Sequence, residues 1–379
     1  MAQDFKKVAI VGGGPAGCIC AYYLLKENIK VDIFEKTEPL KTLLPTGGGR
    51  CNLANAEYDF KTLASNYPRG EKFLYSIFSK FSTIDTINLF EELGIKTYCQ
   101  DDMRIFPTSN SSKDVRNKIL SNLNKMGANF IIRKIHNPCE LLKKYNAVVI
   151  AIGGHSSLDF LKKYDISLVD KKPSLVGMNT VENFSEISGT ICKNVMTNGY
   201  KGDILFTHFG ISGPLIYKIS SIKAFDKFPY ELLIDFCPYE LDLQEIFNKN
   251  PHKNLKNILK DFLPQKIVFH IFKDIDLDIK ASRINRLIRE TIEERIHNYK
   301  ITVTSTNKGE ETVMAGGVDL NEIYQQTMAL KKIPNFYCIG EALNIDGFCG
   351  GFNLQNAWST AYICAEGISK TIFDKKIIH

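Results

Sequence analysis

No CxxC pair occurs anywhere in the 379 residues, and the ten cysteines stand scattered. That excludes the dithiol relay of a disulfide reductase and the ligand spacing of a structural zinc site, so no metal is expected. Thiols of this kind read as reduced and mostly buried, the habit of a cytoplasmic protein. No run of 18 apolar residues exists, and no membrane association is expected. The opening "MAQDFKKVAIVGGG" passes from a short polar lead straight into a strand pattern, without an apolar stretch of signal-peptide length. Internal repeats and low-complexity linkers are missing as well. Arginine is the minority cation: the net charge of +6 comes from a lysine-rich chain with acids interleaved almost throughout. Such a balance permits a nucleic-acid partner without arguing for one.

What is present starts at residue 7. "KVAIV" is a short β-branched apolar run, followed by Gly12-Gly13-Gly14-Pro15-Ala16-Gly17 and the helical pattern "CICAYYLLKEN". The next strand, "KVDIFEK", carries Glu35 and Lys36 at its end, Glu35 lying 18 residues after Gly17. In this order the pieces form a dinucleotide site. Gly12 makes the tight turn, Gly14 lets backbone N–H groups meet a pyrophosphate, and Gly17 seats the helix on the strand, with Pro15 and Ala16 opening that helix. Glu35 accepts from the adenosine ribose and repels a 2′-phosphate, which leaves FAD or NAD and disfavours NADP.

The far end of the chain decides between them. "FYCIGEALNIDGFCGGFNLQNAWSTAYICAE" (336 to 366) reads as an apolar strand, then Gly340-Glu341, a turn-rich segment with Gly350-Gly351, and a helix from about Leu354. An acid there suits the ribityl hydroxyls of a flavin. The helix start, with Gly351, Asn353, Leu354 and Gln355, presents partial positive charge to the flavin ring. FAD is therefore the expected cofactor. "NAVVIAIGG" (146 to 154) is a further buried strand whose Gly153 falls near it, and "TGGGRCNLAN" (46 to 55) places Gly48, Gly49, Arg50, Cys51 and Asn52 along the cofactor or the substrate.

Seven stretches carry a family resemblance: "VAIVGGGPAG", "TGGGRCNLAN", "RIFPTSNSSKDV", "VVIAIGGHS", "GDILFTHFGISGP", "MAGGVDLNEI" and "CIGEALNIDGFCGGFNLQNAWS". Through them the chain resembles the BaiN/RdsA-type, or YhiN-like, flavoproteins, a bacterial family of FAD-dependent oxidoreductases. The resemblance implies an α/β fold: a Rossmann-like FAD-binding domain of the two-dinucleotide-binding-domain flavoprotein type, with an inserted β-rich plus helical module. The FAD domain then comprises 1–171 and 312–379. The insertion spans 172–311, barrel-like over 172–240 and 301–311 and helical over 241–300, where Pro264 interrupts the helical pattern. It also implies hydride transfer between flavin N5 and a substrate, with NAD(P)H as transient donor. The substrates it allows are uridine in ribosomal RNA, a steroid, or an amine; a flavin-containing RNA-binding protein with structural FAD is the non-enzymatic alternative, and an NAD-dependent dehydrogenase the third reading. One departure stands out: where relatives continue after "AIGG" with a longer loop of the type "SYPxTGSTGDG", this chain has "HSSLDFLKKYDISLVDKKPSLVGM".

Several groups are candidates for chemistry. Cys349 lies in the loop before the last helix, and Cys51 follows Arg50, whose charge is expected to lower the thiol pKa; packing is the plainer role for both. Asp346 serves as an acid or shapes the turn "NIDGF". His208, with Ser212, lines the substrate space or makes a structural hydrogen bond. Arg104 anchors an anion or forms a surface ion pair. Arg283, Arg286 and Arg289 recur every three residues and face phosphates, or else pair with Glu290, Glu293 and Glu294 on a solvated face.

Overall fold

The computed structural model describes residues 6–307, 309 and 313–374. The polar lead (1–5), much of the expected junction near 308–312, and the last five residues lie outside the described residues. The chain divides into two compact units, residues 1–172 with 313–379, and 173–312.

The first unit is built on a seven-stranded sheet. Its parallel part comprises β1 (Lys7–Val11), β2 (Lys30–Glu35), β3 (Asn129–Ile132), β4 (Ala147–Ile150) and β5 (Phe336–Cys338), in the spatial order β5, β4, β1, β2, β3. Two short strands, Ile323–Tyr324 and Ala329–Leu330, extend the β5 edge in antiparallel fashion. β1 and β4 are almost continuously apolar because both faces are covered: Val8, Ala9, Ile10, Val148, Val149 and Ile150 are fully buried. Helix α1 (Pro15–Lys26) starts with Pro15 in its first turn, where the missing N–H is no loss. It packs against the last helix, α2 (Phe352–Asp374). The contact runs through Cys20 against Cys364 and Tyr23 edge-on to Tyr362, their ring centres 4.9 Å apart. Between β2 and β3 the chain inserts four helices and a three-stranded sheet in which Arg104–Pro107 lies between Ala54–Asn55 and Thr97–Cys99.

The second unit is a six-stranded, antiparallel sheet in the order 191–197, 200–207, 210–212, 178–180, 299–306, 230–234. Its two edges meet through backbone hydrogen bonds between Met196 and Asp235, both 2.8 Å, which close it into a barrel. A helix, Pro214–Ile222, stands inside the segment expected to be all β, its buried Leu215, Ile216 and Ile219 covering the barrel. The helical stretch breaks into Leu243–Lys249, Leu255–Leu259, Gln265–Ile271 and Arg286–His297, with Pro264 at the N-terminal boundary of the third. Asn285 caps the fourth through Ile288 N–H at 2.9 Å. Arg283 therefore falls in the preceding turn, and the three arginines do not share one helix face. Arg286 and Arg289 pair with Glu290 and Glu293, as a solvated face does. No helix among the described residues is long and apolar enough to cross a membrane.

Candidate functional site

Parallel order brings the C-terminal ends of β1, β2, β4 and β5 to one edge of the first unit. The turns that leave them carry the sequence's glycines and acids. A Cβ on Gly12 would lie 2.2 Å from the Ala151 carbonyl oxygen, and one on Gly17 would lie 2.0 Å from the Gly12 oxygen, so neither position admits another residue. Gly340 comes to the same place from the other end of the chain: its Cβ would sit 3.0 Å from Ala16 Cβ. Glu35, at the end of β2, is held by the backbone. Gly13 N–H donates to Oε2 at 2.8 Å, and Thr37 donates to Oε1 through its N–H at 2.9 Å and its hydroxyl at 3.2 Å. A carboxylate accepts about four such bonds, so capacity remains for a hydroxyl outside the protein.

The residues fit a dinucleotide on two grounds. A Cβ on Gly14, which precedes α1, would meet only Thr42 Oγ1 at 3.8 Å, and one on Gly153 would meet nothing within 4 Å: the cradle has room in front of the helix start. Second, Asn356, two positions beyond Leu354 on α2, is fully buried with both amide atoms unpartnered. Buried amides rarely stay so, and the arrangement suits an absent polar ligand. The same face of α2 looks onto the Gly340 turn, because Thr360 Oγ1 accepts from Gly340 N–H at 3.0 Å. Sequence reasoning passed over Asn356; its only signal is its place one turn from Asn353.

Glu341 is half-buried. Desolvation pushes its carboxyl up to about 7, Asp346 adds to the rise, and the Gly154 N–H at 3.4 Å and the Lys171 ammonium counter it. Lys171, itself lowered by burial, donates to the Ser156 carbonyl.

The loop from 343 to 351 is tied down at each step. Asp346 is fully buried in a two-point ion pair with Arg69, which removes it as a free acid and leaves the turn-shaping role. Asn353 clasps Gly347, accepting from its N–H and donating to its carbonyl, both at 2.8 Å. Gln355 bridges Thr86 and Ser359. Both side chains are thus occupied inside the protein, and Leu354 packs on the core. Gly351, at φ +100°, lies against Ala54, where a Cβ would come within 2.4 Å of the carbonyl. Cys349 is exposed as a residue, while desolvation of its thiol pushes it up to about 11 against the pull of Arg104.

"TGGGRCN" folds as a left-handed turn, with φ of 58°, 67° and 84° at Gly47, Gly48 and Gly49. A Cβ on Gly48 or Gly49 would meet no protein atom within 4 Å. Asn52, with its amide oriented to pair at both ends, donates to the carbonyls of Ala54 and Ile105 and accepts from Gly351 N–H, sewing this turn to the start of α2. The expected effect of Arg50 on Cys51 fails: Cys51 is fully buried, burial pushes its thiol up to about 12, and Arg50 lies over the Phe106 ring instead. Lys36 is exposed. His208 belongs to the second unit, exposed between two strands with its ring edge-on to Phe209; Ser212 is buried and donates to the Tyr217 hydroxyl at 3.3 Å.

A parallel sheet with glycine turns and acids from both chain ends at one edge makes this an enzyme of the Rossmann-type, FAD-dependent oxidoreductase class. The family model described as "HI0933-like protein Rossmann domain" matches residues 6–367, and the chain belongs to that family. A relative from Haemophilus influenzae, named ribosomal RNA dihydrouridine synthase, is 28% identical over 97% of this chain and 100% of its own length. Another from Clostridium scindens, named 3-dehydro-bile acid delta(4,6)-reductase, is 24% identical over 96% of this chain and 99% of its own. Among solved structures, the 3-ketosteroid delta1-dehydrogenase of Sterolibacterium denitrificans shares the fold at a TM-score of 0.51 and 11% identity, covering 96% of this chain and 99% of that one.

Proposed function

We propose that the chain binds one FAD along this edge and reduces uridine in ribosomal RNA to dihydrouridine, with NAD(P)H as electron donor. The meeting of Gly340 with Ala16 carries the cofactor reading, because it unites the two halves of a divided site. The full-length relative named for ribosomal RNA supports the substrate. FAD, when bound, supplies two-electron hydride chemistry at its N5.

The N–H groups of Gly14, Ala16 and Gly17 at the start of α1 suit the pyrophosphate, and Glu35 suits the ribose. Glu341 and Asn356 offer partners to the ribityl and ring portions, and the N-terminus of α2 favours negative charge in front of it. Gly48, Gly49 and Gly153 leave space rather than contacts. Saturating a uracil double bond takes a hydride at one carbon and a proton at the other. Cys349 suits the proton: it is exposed, precedes the α2 start, and keeps its hydrogen at neutral pH.

A second reading, reduction of a steroid-like small molecule, is favoured by the Clostridium scindens relative. Two measurements separate the readings. Anaerobic NADH or NADPH is expected to bleach the flavin absorbance of the purified protein; a flavin that no reductant bleaches turns the reading into an RNA-binding protein with structural FAD. Mass spectrometry of ribosomal RNA nucleosides is expected to lose dihydrouridine when the gene is deleted, and unchanged levels exclude the RNA substrate.

A further inference from the structure

Arg104 and Phe106, in "RIFP", have no part in the cofactor site described above, yet the structure joins them to Arg50. The guanidinium carbon of Arg50 lies 4.3 Å from the Phe106 ring centre, and that of Arg104 lies 5.5 Å from the same centre. Phe106 itself is fully buried, so the ring is a fixed floor for both cations. The two differ in how they are neutralised. Arg104 pairs with Asp102 at 2.6 Å. Arg50 has no carboxylate partner among the described residues: its Nε donates to the Gly47 carbonyl at 3.4 Å. Arg50 is half-buried, and its guanidinium keeps donors that no carboxylate takes up, next to a turn where a Cβ on Gly48 or Gly49 would meet nothing within 4 Å.

Location selects among anions. The cofactor's pyrophosphate belongs in front of α1, at Gly12 to Gly17. Arg50 and Arg104 belong instead to the surroundings of the α2 start. Asn55, paired with Arg104 across the small sheet, donates to the Gly350 carbonyl at 3.3 Å, and Arg104 acts electrostatically on Cys349. An anion here accompanies the reacting end of the site.

We propose that Arg50 and Arg104, seated on Phe106, form a subsite for a phosphodiester of the RNA substrate next to the base to be reduced. Arg50 supplies the uncompensated charge and the planar fork that matches phosphate oxygens. The proposal rests on the RNA reading above and names the part of the substrate that this turn grips. It also gives "TGGGR" a division of labour: the glycines clear the space, and the arginine addresses what enters it.

The test uses FAD-loaded protein and a single-stranded RNA oligonucleotide containing uridine, with affinity measured across a salt series. Arg50→Ala is expected to weaken binding at low salt and to flatten the log–log salt dependence by about 0.7, one phosphate contact on a single strand. Arg50→Lys keeps most of the salt slope and loses affinity, and Arg104→Ala gives a smaller loss because Asp102 already offsets that charge. FAD content per chain stays at the wild-type value in all three. If the wild type binds RNA and Arg50→Ala leaves affinity and slope unchanged, the subsite is refuted while the RNA reading stands. Loss of FAD from folded Arg50→Ala and Arg50→Lys refutes it in favour of a cofactor contact. A wild type that binds no RNA at any salt overturns the RNA reading, and the subsite with it.

Discussion

Arg69 and Asp346, 277 residues apart, are joined by two hydrogen bonds in a buried ion pair and by an isolated backbone bridge. Through this clasp the helix-rich insertion after β2 holds the loop that leads into α2. The loop thereby takes its shape from a distant segment, and the carboxylate that looked like a free acid is an anchor.

Breaking the clasp from one side strands a buried charge. Asp346→Asn or Arg69→Ala is expected to cost on the order of 3–5 kcal/mol in urea unfolding, whereas replacing both by apolar residues of similar volume recovers much of it. A single variant with wild-type stability would show that the pair is a bystander.

Glu341 makes stability fall as pH rises. Its folded carboxyl sits at about 7, above its ordinary 4.5. Below 4.5 the group is protonated in both states and its contribution is fully present. From 4.5 to about 7 the unfolded chain releases the proton and the folded chain retains it, so the contribution drains away and then levels off. In FAD-free protein the loss is on the order of 1–3 kcal/mol. Glu341→Gln is expected to flatten that part of the thermal-melt pH profile.

Asn356 separates cofactor binding from stability. An unpaired buried amide costs about 1–3 kcal/mol, so Asn356→Leu is expected to leave FAD-free protein as stable as wild type or more so, while weakening FAD retention on dialysis. Lower stability together with unchanged FAD binding would assign the amide to packing.

The two cysteines near the cofactor should behave differently. Cys51→Ser is expected to keep both FAD and turnover, since its thiol is buried and protonated. Cys349→Ser is expected to keep FAD and lose roughly 10²-fold in turnover, the scale of one general acid. Alkylation of Cys349, followed by peptide mass spectrometry, should speed up by about tenfold per pH unit and level off only above about 11.

Gly48 and Gly351 test the turn around the cofactor. Gly351→Ala places a Cβ 2.4 Å from Ala54 and is expected to lower the melting temperature sharply. Gly48→Phe begins with a Cβ that meets no protein atom within 4 Å, so it is expected to fold with about 1 kcal/mol of left-handed strain and to lose FAD occupancy. Full FAD content in Gly48→Phe would move the cofactor away from this turn.

Much of the site was legible because it depends on local chemistry. Strand, glycine turn, helix, strand and acid follow one another within residues 7 to 35, and the Gly340-Glu341 turn repeats the logic at the far end; local order is enough to recognise both. The helix Pro214–Ile222 escaped notice because "GISGPLIYKISSI" offers a short apolar run between strands, and period alone does not separate the two states there. The Arg283, Arg286 and Arg289 stripe dissolved because Asn285 starts the helix between the first and second arginines.

By itself the sequence determined the glycine turns, the acid that ends β2 and the one that follows β5, and the class of cofactor they suit, since these follow from backbone freedom and charge at neighbouring positions. Only the tertiary structure decided which polar side chains are already satisfied. Asp346, Asn52, Asn353 and Gln355 have partners inside the protein, Asn356 has none, and Arg50 turns from Cys51 to Phe106. The physical reason is that hydrogen-bond satisfaction and desolvation depend on what lies within a few ångströms in space, and for Asp346 and Gln355 those neighbours lie 277 and 269 residues away along the chain.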